Sequence, residues 1–357
     1  MIPSSQSRVR VMVVEDSLVI RQLLAHIIAR DPRLIVAATV ASAEEALQEI
    51  GRVQPDVVSM DIRLPGMDGL EATRRIMAER PTPIVVIADS IEDSSLKISM
   101  NALRAGALSV VEKPVGVTSA GYDAIASTIC TQLYIMSQVP VVRQRSFSWR
   151  PPTNPPRSER EDLWASARPA LMAIAASTGG PPALAKVLGA FPADFPIPIL
   201  LVQHMGAPFM EGFASWLNGL TSLDVRLAQE GEVPAAGRVY VAPGDRHLAL
   251  SSTGALRLSA DPPIGSQRPS ATYLFRSMAQ FAGPRGIGVL LTGMGEDGAQ
   301  GLVEMRQAGG YTLAEHESTA VVYGMPAAAV RMGGARASLP LDLIAPRLLG
   351  LARGEGE

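Results

Sequence analysis

Residues 9–17 read VRVMVVEDS, an apolar run rich in β-branched residues that passes directly into two acids. A strand that is apolar on both faces and ends in charge belongs inside a parallel sheet, where helices cover both faces and the strand carboxyl ends share one rim. Working outward, the same texture returns at Leu34–Thr39, Asp56–Met60, Ile84–Ala88 and Leu108–Val111. The amphipathic stretches Val19–Arg30, Ala43–Val53 and Leu70–Glu79 fall between them as helices. This alternation predicts right-handed βαβ units in an α/β, flavodoxin-like doubly wound domain over residues 8–120.

Residues 121–168 read as a helix followed by a linker. Within Gln138–Pro169 the chain is dense in Pro, Ser and Arg with little periodicity, and it cannot bury enough apolar surface to offset its ordering entropy. Phe147, Trp149 and Trp164 are unusual in a spacer and could dock on a domain. Over residues 169–353 the alternation resumes as a second, mostly parallel α/β domain. Strands are predicted at Leu171–Ala176, Ile197–Gln203, Arg238–Ala242 and Gly286–Thr292. Helices are predicted at Pro181–Leu188, Phe209–Leu220, Ser270–Phe281 and Asp297–Gln307. His247–Ser251 and Ala255–Ser259 read as a β-hairpin at the domain edge.

Composition narrows the function classes. An apolar fraction of 47% supports sizeable cores, and a net charge of −2 gives no electrostatic reason to expect nucleic acid or an anionic membrane surface. The single cysteine, Cys130, permits no intramolecular disulfide and suits a reducing, cytoplasmic compartment. It lies in the apolar-periodic stretch Ala124–Met136, which marks it as packing. The N-terminal apolar run Val11–Val14 is too short for a signal peptide or a membrane span, so no membrane insertion is expected.

Glu15 and Asp16 follow the first strand, Asp61 follows the third, and Lys113-Pro114 follows the fifth. In a doubly wound sheet these ends converge, and clustered carboxylates are unstable together without a cation. An all-oxygen ligand set with open positions suits Mg²⁺. Asp61 is then placed to attack phosphorus in line and Lys113 to neutralise the product. Taken singly, each acid could equally cap the next helix, as Asp16 could. VMVVEDS, SMDIRLPGMDGLEA and VVEKP resemble the receiver domain of bacterial response regulators over Val9 to about Val117. The resemblance implies phosphorylation of Asp61 by a sensor histidine kinase. It also implies metal held by Glu15, Asp16, Asp61 and the backbone carbonyl of Arg63. Two positions depart from that pattern. Ala88 stands where receivers carry Ser or Thr, with Asp89 and Ser90 next, and Val110 stands where an aromatic is common. The usual hydroxyl–aromatic switch cannot operate here in its usual form.

In the second domain, Ser177-Thr178-Gly179-Gly180-Pro181 follows a strand and opens a helix, Gln203-His204-Met205 ends another strand, and LTGMGEDGAQG (Leu291–Gly301) ends a third. Ser177, His204 and Asp297 can therefore meet as nucleophile, base and orienting acid, with the Thr178 and Met294 amides as candidate oxyanion donors. Spacing alone leaves alternatives. Ser177 could cap a helix or bind phosphate, although the Gly-Lys-Ser/Thr of a phosphate loop is absent. A nucleophile elbow wants Gly where Ala175 stands, and Ser–His–Asp is not its order. His247, after APGDR, could line the site or order a loop, and His316 sits in the charged stretch AEHES; His26 is on the first helix, out of range.

AIAASTGGPPAL, LLVQHMGAPFMEGFASWLN, VYVAPGDRHL, RPSATYLF, GVLLTGMGEDGAQG and VVYGMPAAAV resemble the catalytic domain of the CheB family, the chemotaxis protein-glutamate methylesterases, over Leu171 to about Leu339. The resemblance implies Ser177 as nucleophile, His204 as base, Asp297 as third member and Arg268 as a substrate contact. It implies hydrolysis of glutamate γ-methyl esters on chemoreceptors, deamidation of certain receptor glutamines, and no cofactor for that step. It further implies that the unphosphorylated receiver covers the catalytic rim until Asp61 is phosphorylated. Two other readings stay open: a regulator that acts by protein binding alone, and the same esterase in a chemosensory pathway unrelated to motility.

Overall fold

The computed structural model describes residues 8–88, 102, 105–114, 122–139 and 169–354. Two compact units divide the chain, Met1–Ser146 and Phe147–Glu357. In the first unit, every residue of β1 (Val9–Val14) except Arg10 is buried, which places the strand inside a sheet rather than at its rim. The unit continues as α1 (Leu18–Arg30), β2 (Leu34–Val40), α2 (Ala43–Val53), β3 (Val57–Met60), α3 (Gly69–Glu79), β4 (Ile84–Ala88), β5 (Ser109–Glu112) and α4 (Tyr122–Met136). Polar side chains start the helices where the sequence supplies them: Ser42 Oγ accepts the Glu45 N–H at 3.2 Å and Asp68 Oδ1 accepts the Glu71 N–H at 2.8 Å.

The strands pair in parallel in the order β2-β1-β3-β4-β5, the flavodoxin-like arrangement expected. The segment between β4 and β5, including Asp89 and Ser90, lies mostly outside the described residues, as do Phe147, Trp149 and Trp164. Cys130 is buried on α4 with its Sγ 3.6 Å from the Ile27 carbonyl oxygen, and burial pushes the thiol up to about 11. Burial thus disfavours the thiolate, the reactive form, and the side chain serves packing.

The second unit runs β6 (Leu171–Ala176), α5 (Gly180–Gly189), β7 (Ile199–Gln203), α6 (Met210–Asn218), β8 (Asp224–Leu227) and β9 (Arg238–Val241). It continues as β10 (His247–Leu250), β11 (Leu256–Ser259), α7 (Ala271–Phe281), β12 (Gly286–Leu290), α8 (Ala299–Gln307), β13 (Tyr311–Glu315), α9 (Met325–Arg331), β14 (Ala337–Leu339) and α10 (Leu341–Arg353). Its main sheet is parallel throughout, in the order β14-β13-β12-β6-β7-β9-β8. From β6 the chain builds outward through β7 to one edge, then returns to β12 on the other side of β6 and builds to the opposite edge. The crevice outside the carboxyl ends of β6 and β12 is therefore a topological switch point.

The hairpin forms as expected but pairs only with itself, β10 against β11, instead of extending the main sheet. Its Leu248, Leu250 and Leu256 share one core with Leu274, Phe275 and Met278 of α7, Leu290 of β12, and Leu302 and Met305 of α8. Strands β8, β13 and β14 and helices α9 and α10 were not among the elements anticipated from sequence. Strand β14 is only three residues long, α9 is a seven-residue helix, and α10 carries Pro346 in its interior. The first two are too short to show a period, and the proline inside α10 reads as a helix breaker.

Helices α7 and α8 approach closely because α8 carries Gly301. A Cβ there would stand 2.8 Å from both Phe275 Cβ and the Thr272 carbonyl oxygen. Gly301→Ala should destabilise the second unit by a net of about 1–2 kcal/mol, overpacking outweighing the gain in helix propensity. Urea denaturation is the measurement, with the neighbouring exposed Gln300→Ala as a control expected within about 0.5 kcal/mol of wild type.

Candidate active site

Strands β12, β6 and β7 are consecutive in the sheet, and each delivers one candidate residue at its carboxyl end. The ladder of β6 and β7 runs to the pair Ala176 and Gln203, so Ser177 and His204 emerge side by side. Ser177 N–H donates to the Thr292 carbonyl at 3.0 Å, and His204 N–H donates to the Ala176 carbonyl at 3.1 Å. Asp297 arrives in the loop between β12 and α8. His204 Nε2 lies 2.8 Å from Asp297 Oδ2, with both side chains nearly buried. A carboxylate only accepts, so Nε2 carries the proton and Nδ1 is the nitrogen left to act as a base. Among the described residues no hydrogen bond joins Ser177 Oγ to His204. Bonds of this type commonly close only when substrate is present.

Asp297 is fixed by more than His204. Its Oδ1 accepts from Ser270 Oγ at 2.7 Å, from the Thr272 N–H at 3.0 Å and from the Gly298 N–H at 2.9 Å, and its Oδ2 accepts the Ala271 N–H at 2.7 Å. Ser270 is the N-cap of α7, so the carboxylate sits on that helix's N-terminus, where free amides and the helix dipole favour an anion. Burial alone would raise its pKa. The hydrogen bond and charge of His204, then the Ser270 hydroxyl and the Thr272 amide, reverse this and hold it at about 2. Asp297 is a carboxylate at every pH at which the protein would work.

The amides of Thr178 and Met294 find no hydrogen-bond partner among the described residues. They lie on loops that meet, since a Cβ on Gly293 would stand 2.8 Å from Ser177 Cβ. The other expected residues fall elsewhere. Arg268 is exposed and donates to the carbonyls of Ala260 and Asp261 at 3.2 and 3.4 Å. His247 is buried and committed at both nitrogens: Nδ1 accepts the Ser270 N–H and Nε2 donates to the Pro262 carbonyl, each at 3.2 Å. Its ring stacks on Tyr273 at 4.4 Å. It orders the loop that carries the cap of α7 and is not a rival base. His316 Nδ1 is taken by Ser318.

Gln203 is a further site residue, quoted in the sequence without a role. It is buried, and its Nε2 donates to the carbonyls of Ser177 at 2.8 Å and His204 at 3.0 Å, tying the carboxyl end of β6 to that of β7. Its place as the last residue of a buried strand was the available signal, because an amide there must find polar partners.

In the first unit Glu15, Asp16 and Asp61 bring ligand oxygens within 4.8 Å of one another. Lys113 Nζ stands 3.0 Å from Asp61 Oδ2 and 3.1 Å from Glu15 Oε2. Burial, then the charge of Asp61, raise the Glu15 pKa to about 7, and burial also raises that of Asp61 against the pull of Lys113. Burial opposes the Lys113 charge, but Asp61 and Glu15 outweigh it and hold its pKa above the ordinary value. A cluster of acids that burial makes reluctant to ionise, with one cation beside it, fits a divalent oxygen-seeking metal. Arg63, two residues past Asp61, donates its N–H to Asp61 Oδ1 at 3.3 Å. Ala88 ends β4 buried, and its carbonyl accepts the Lys113 N–H at 2.9 Å; Val110 packs against the receiver core.

Comparison with known proteins gives a family for each unit. Residues 172–348 match the CheB methylesterase family and residues 11–120 match the response regulator receiver domain. The chain is 55% identical to protein-glutamate methylesterase/protein-glutamine glutaminase 2 of Paramagnetospirillum magneticum, covering 98% of this chain and 99% of that one. It is 44% identical to protein-glutamate methylesterase/protein-glutamine glutaminase 4 of Myxococcus xanthus, covering 97% and 98%. Among solved structures, the Thermotoga maritima CheB methylesterase catalytic domain matches with a TM-score of 0.50 and 36% identity, covering 51% of this chain and 98% of that one. The chain belongs to the family of protein-glutamate methylesterases/protein-glutamine glutaminases in which a receiver domain precedes the CheB catalytic domain.

Proposed function

We propose that the esterase acts on glutamate γ-methyl esters of chemoreceptors through Ser177, His204 and Asp297, deamidates certain receptor glutamines there, and is controlled by phosphorylation of Asp61. The observation that carries the catalytic part is the His204–Asp297 bond at 2.8 Å, made by a carboxylate already seated on the N-terminus of α7. Ser177 Oγ attacks the ester carbonyl as His204 Nδ1 takes its proton. The tetrahedral oxyanion is held by the Thr178 and Met294 amides, and methanol leaves with the proton from His204. Water, deprotonated by His204, then releases the glutamate from Ser177. Asp297 stabilises the imidazolium in both steps and does not itself take up the proton. Arg268 is assigned a substrate contact on the family resemblance alone, since its guanidinium is exposed and bonded to the Ala260 and Asp261 carbonyls. Membership in an esterase family sets aside a regulator that acts by binding alone.

The receiver reading rests on the convergent acids. Glu15, Asp16, Asp61 and the Arg63 carbonyl are the groups that would hold Mg²⁺, which when bound neutralises charge on an incoming phosphoryl group. The Asp61 carboxylate attacks phosphorus in line and Lys113 neutralises the aspartyl phosphate. A sensor histidine kinase is the expected phosphodonor, and the cytoplasm the expected setting. No helix among the described residues is long and apolar enough to cross a membrane.

Ser177→Ala should lower methanol release from methylated receptor by about 10⁴- to 10⁶-fold while leaving the urea midpoint unchanged, and should abolish labelling by a serine-directed fluorophosphonate. Retention of a tenth of the activity would remove Ser177 from the mechanism.

Asp61→Asn should block labelling by a small phosphodonor, and EDTA should block it in the wild type. Basal esterase activity of the full chain should survive both treatments. An esterase silenced by EDTA would place a metal in the catalytic unit.

With Ala88 at the end of β4, the phosphoryl group lacks a charge-assisted hydrogen bond of about 1.5–3 kcal/mol that a hydroxyl would supply. Activation by phosphorylation should therefore be modest. Ala88→Thr should increase it only slightly unless Val110 also becomes Phe or Tyr. Initial methanol release with and without phosphodonor, across both single variants and the double variant, is the measurement. Strong wild-type activation, unchanged in all variants, would mean that the signal leaves Asp61 by another route.

A further inference from the structure

We propose that Glu315 positions the nucleophile loop from behind, acting on Ser177 and Thr178 through Thr292. The inference rests on the reading of Ser177 as nucleophile and Thr178 as oxyanion donor. Glu315 is the last residue of β13, and its side chain is fully buried. Its Oε2 accepts the N–H of Thr292 at 2.8 Å. Thr292, also fully buried, lies two residues beyond β12 and joins three loops. Its carbonyl accepts the Ser177 N–H at 3.0 Å, its Oγ1 donates to the Thr178 carbonyl at 2.9 Å, and the same Oγ1 accepts the Val322 N–H at 2.9 Å. The loops after β6, β12 and β13 are thereby locked to one residue, and Glu315 holds that residue's backbone N–H.

A leucine or methionine would fill this space without the penalty of burying a carboxyl group, so packing alone does not account for an acid here. The charged neighbours do not neutralise it. Lys186 of α5 is engaged with Asp342 of α10, and the adjoining His316 gives its Nδ1 to Ser318. Glu315 Oε1 is buried without a hydrogen-bond partner among the described residues. Burial raises the carboxyl above its ordinary range, with the Thr292 amide, the Thr319 hydroxyl and Lys186 pulling only partly the other way. In its neutral form Glu315 behaves like a glutamine: it accepts from Thr292 and places no negative charge behind the amides that must stabilise an oxyanion. In its anionic form it would oppose the charge that develops in the transition state.

The sign of the linked stability follows. An acid whose folded pKa is raised contributes stability that is present below the unfolded value and lost as pH rises through the folded one. Glu315→Gln should therefore be more stable than wild type, with the gap in urea midpoint opening as pH rises above the ordinary carboxylate range.

The test uses the full chain and measures kcat, KM and fluorophosphonate labelling across pH. The variants are Glu315→Gln, Glu315→Leu and Thr292→Val, with Ser177→Ala as reference. Glu315→Gln should keep kcat within about twofold and hold its activity to higher pH than wild type. Glu315→Leu and Thr292→Val should lower kcat about tenfold or more with KM little changed, since each removes a buried hydrogen bond behind the loop. Wild-type kcat in Glu315→Leu would overturn the proposal. So would a Glu315→Gln as impaired as Glu315→Leu. If Glu315→Leu does not fold, Thr292→Val decides alone, and full kcat there overturns the proposal. An active Ser177→Ala would instead defeat the assignment of the nucleophile, an outcome separate from any shown by the Glu315 series.

Discussion

The catalytic unit is organised around one carboxylate held at one helix terminus. Asp297 receives Ser270 Oγ and the amides of Ala271 and Thr272 before it meets His204, so its position is set by α7 and not by the imidazole. Helix α7 is in turn anchored by Phe275 and its neighbours in the core that includes the hairpin, α8 and β12. The orientation of a side chain at the rim is thus referred back to the close packing of the interior, which deforms little. His247 completes the arrangement from the other side by accepting the Ser270 N–H, which keeps the cap facing Asp297.

The two acidic centres show how partners decide what burial does to a carboxyl group. Asp297 and Glu15 are both withdrawn from water, yet one is held at about 2 and the other raised to about 7. Asp297 has amides, a hydroxyl and an imidazole directed at it, all of which favour the anion. Glu15 has a neighbouring acid, and Lys113 is shared between them. The first arrangement is complete with the protein's own groups, whereas the second leaves its acids only partly compensated by Lys113.

Much of this was legible from sequence because parallel strands buried on both faces leave unbroken apolar runs, and because the residues that end such runs must lie on one rim. Val9–Val14, Ile84–Ala88 and Leu171–Ala176 form as strands over the limits read from the sequence. The acids after β1 and β3, and the Ser, His and Asp of the catalytic unit, follow from the same rule. What escaped was whatever broke the pattern for a reason found only in three dimensions. Strand β13 shares its last two residues with the charged stretch AEHES, which hides it as a strand although all five of its residues are buried. Thr292 carries no chemical signature of its own, and Gln203 only that of an amide ending a buried strand. Their roles depend on carbonyls and amides from other strands, which no spacing within one segment discloses. His247 illustrates the converse, a residue chemically fit to be a base whose nitrogens are already spent on the backbone.

The buried thiol on α4 gives the protein a definite character toward oxidants and electrophiles. The chain has one cysteine; it packs against the Ile27 carbonyl, and burial holds its thiol at about 11, so almost no thiolate is presented at neutral pH. The one thiol in the chain is thus poorly placed to serve as a redox switch.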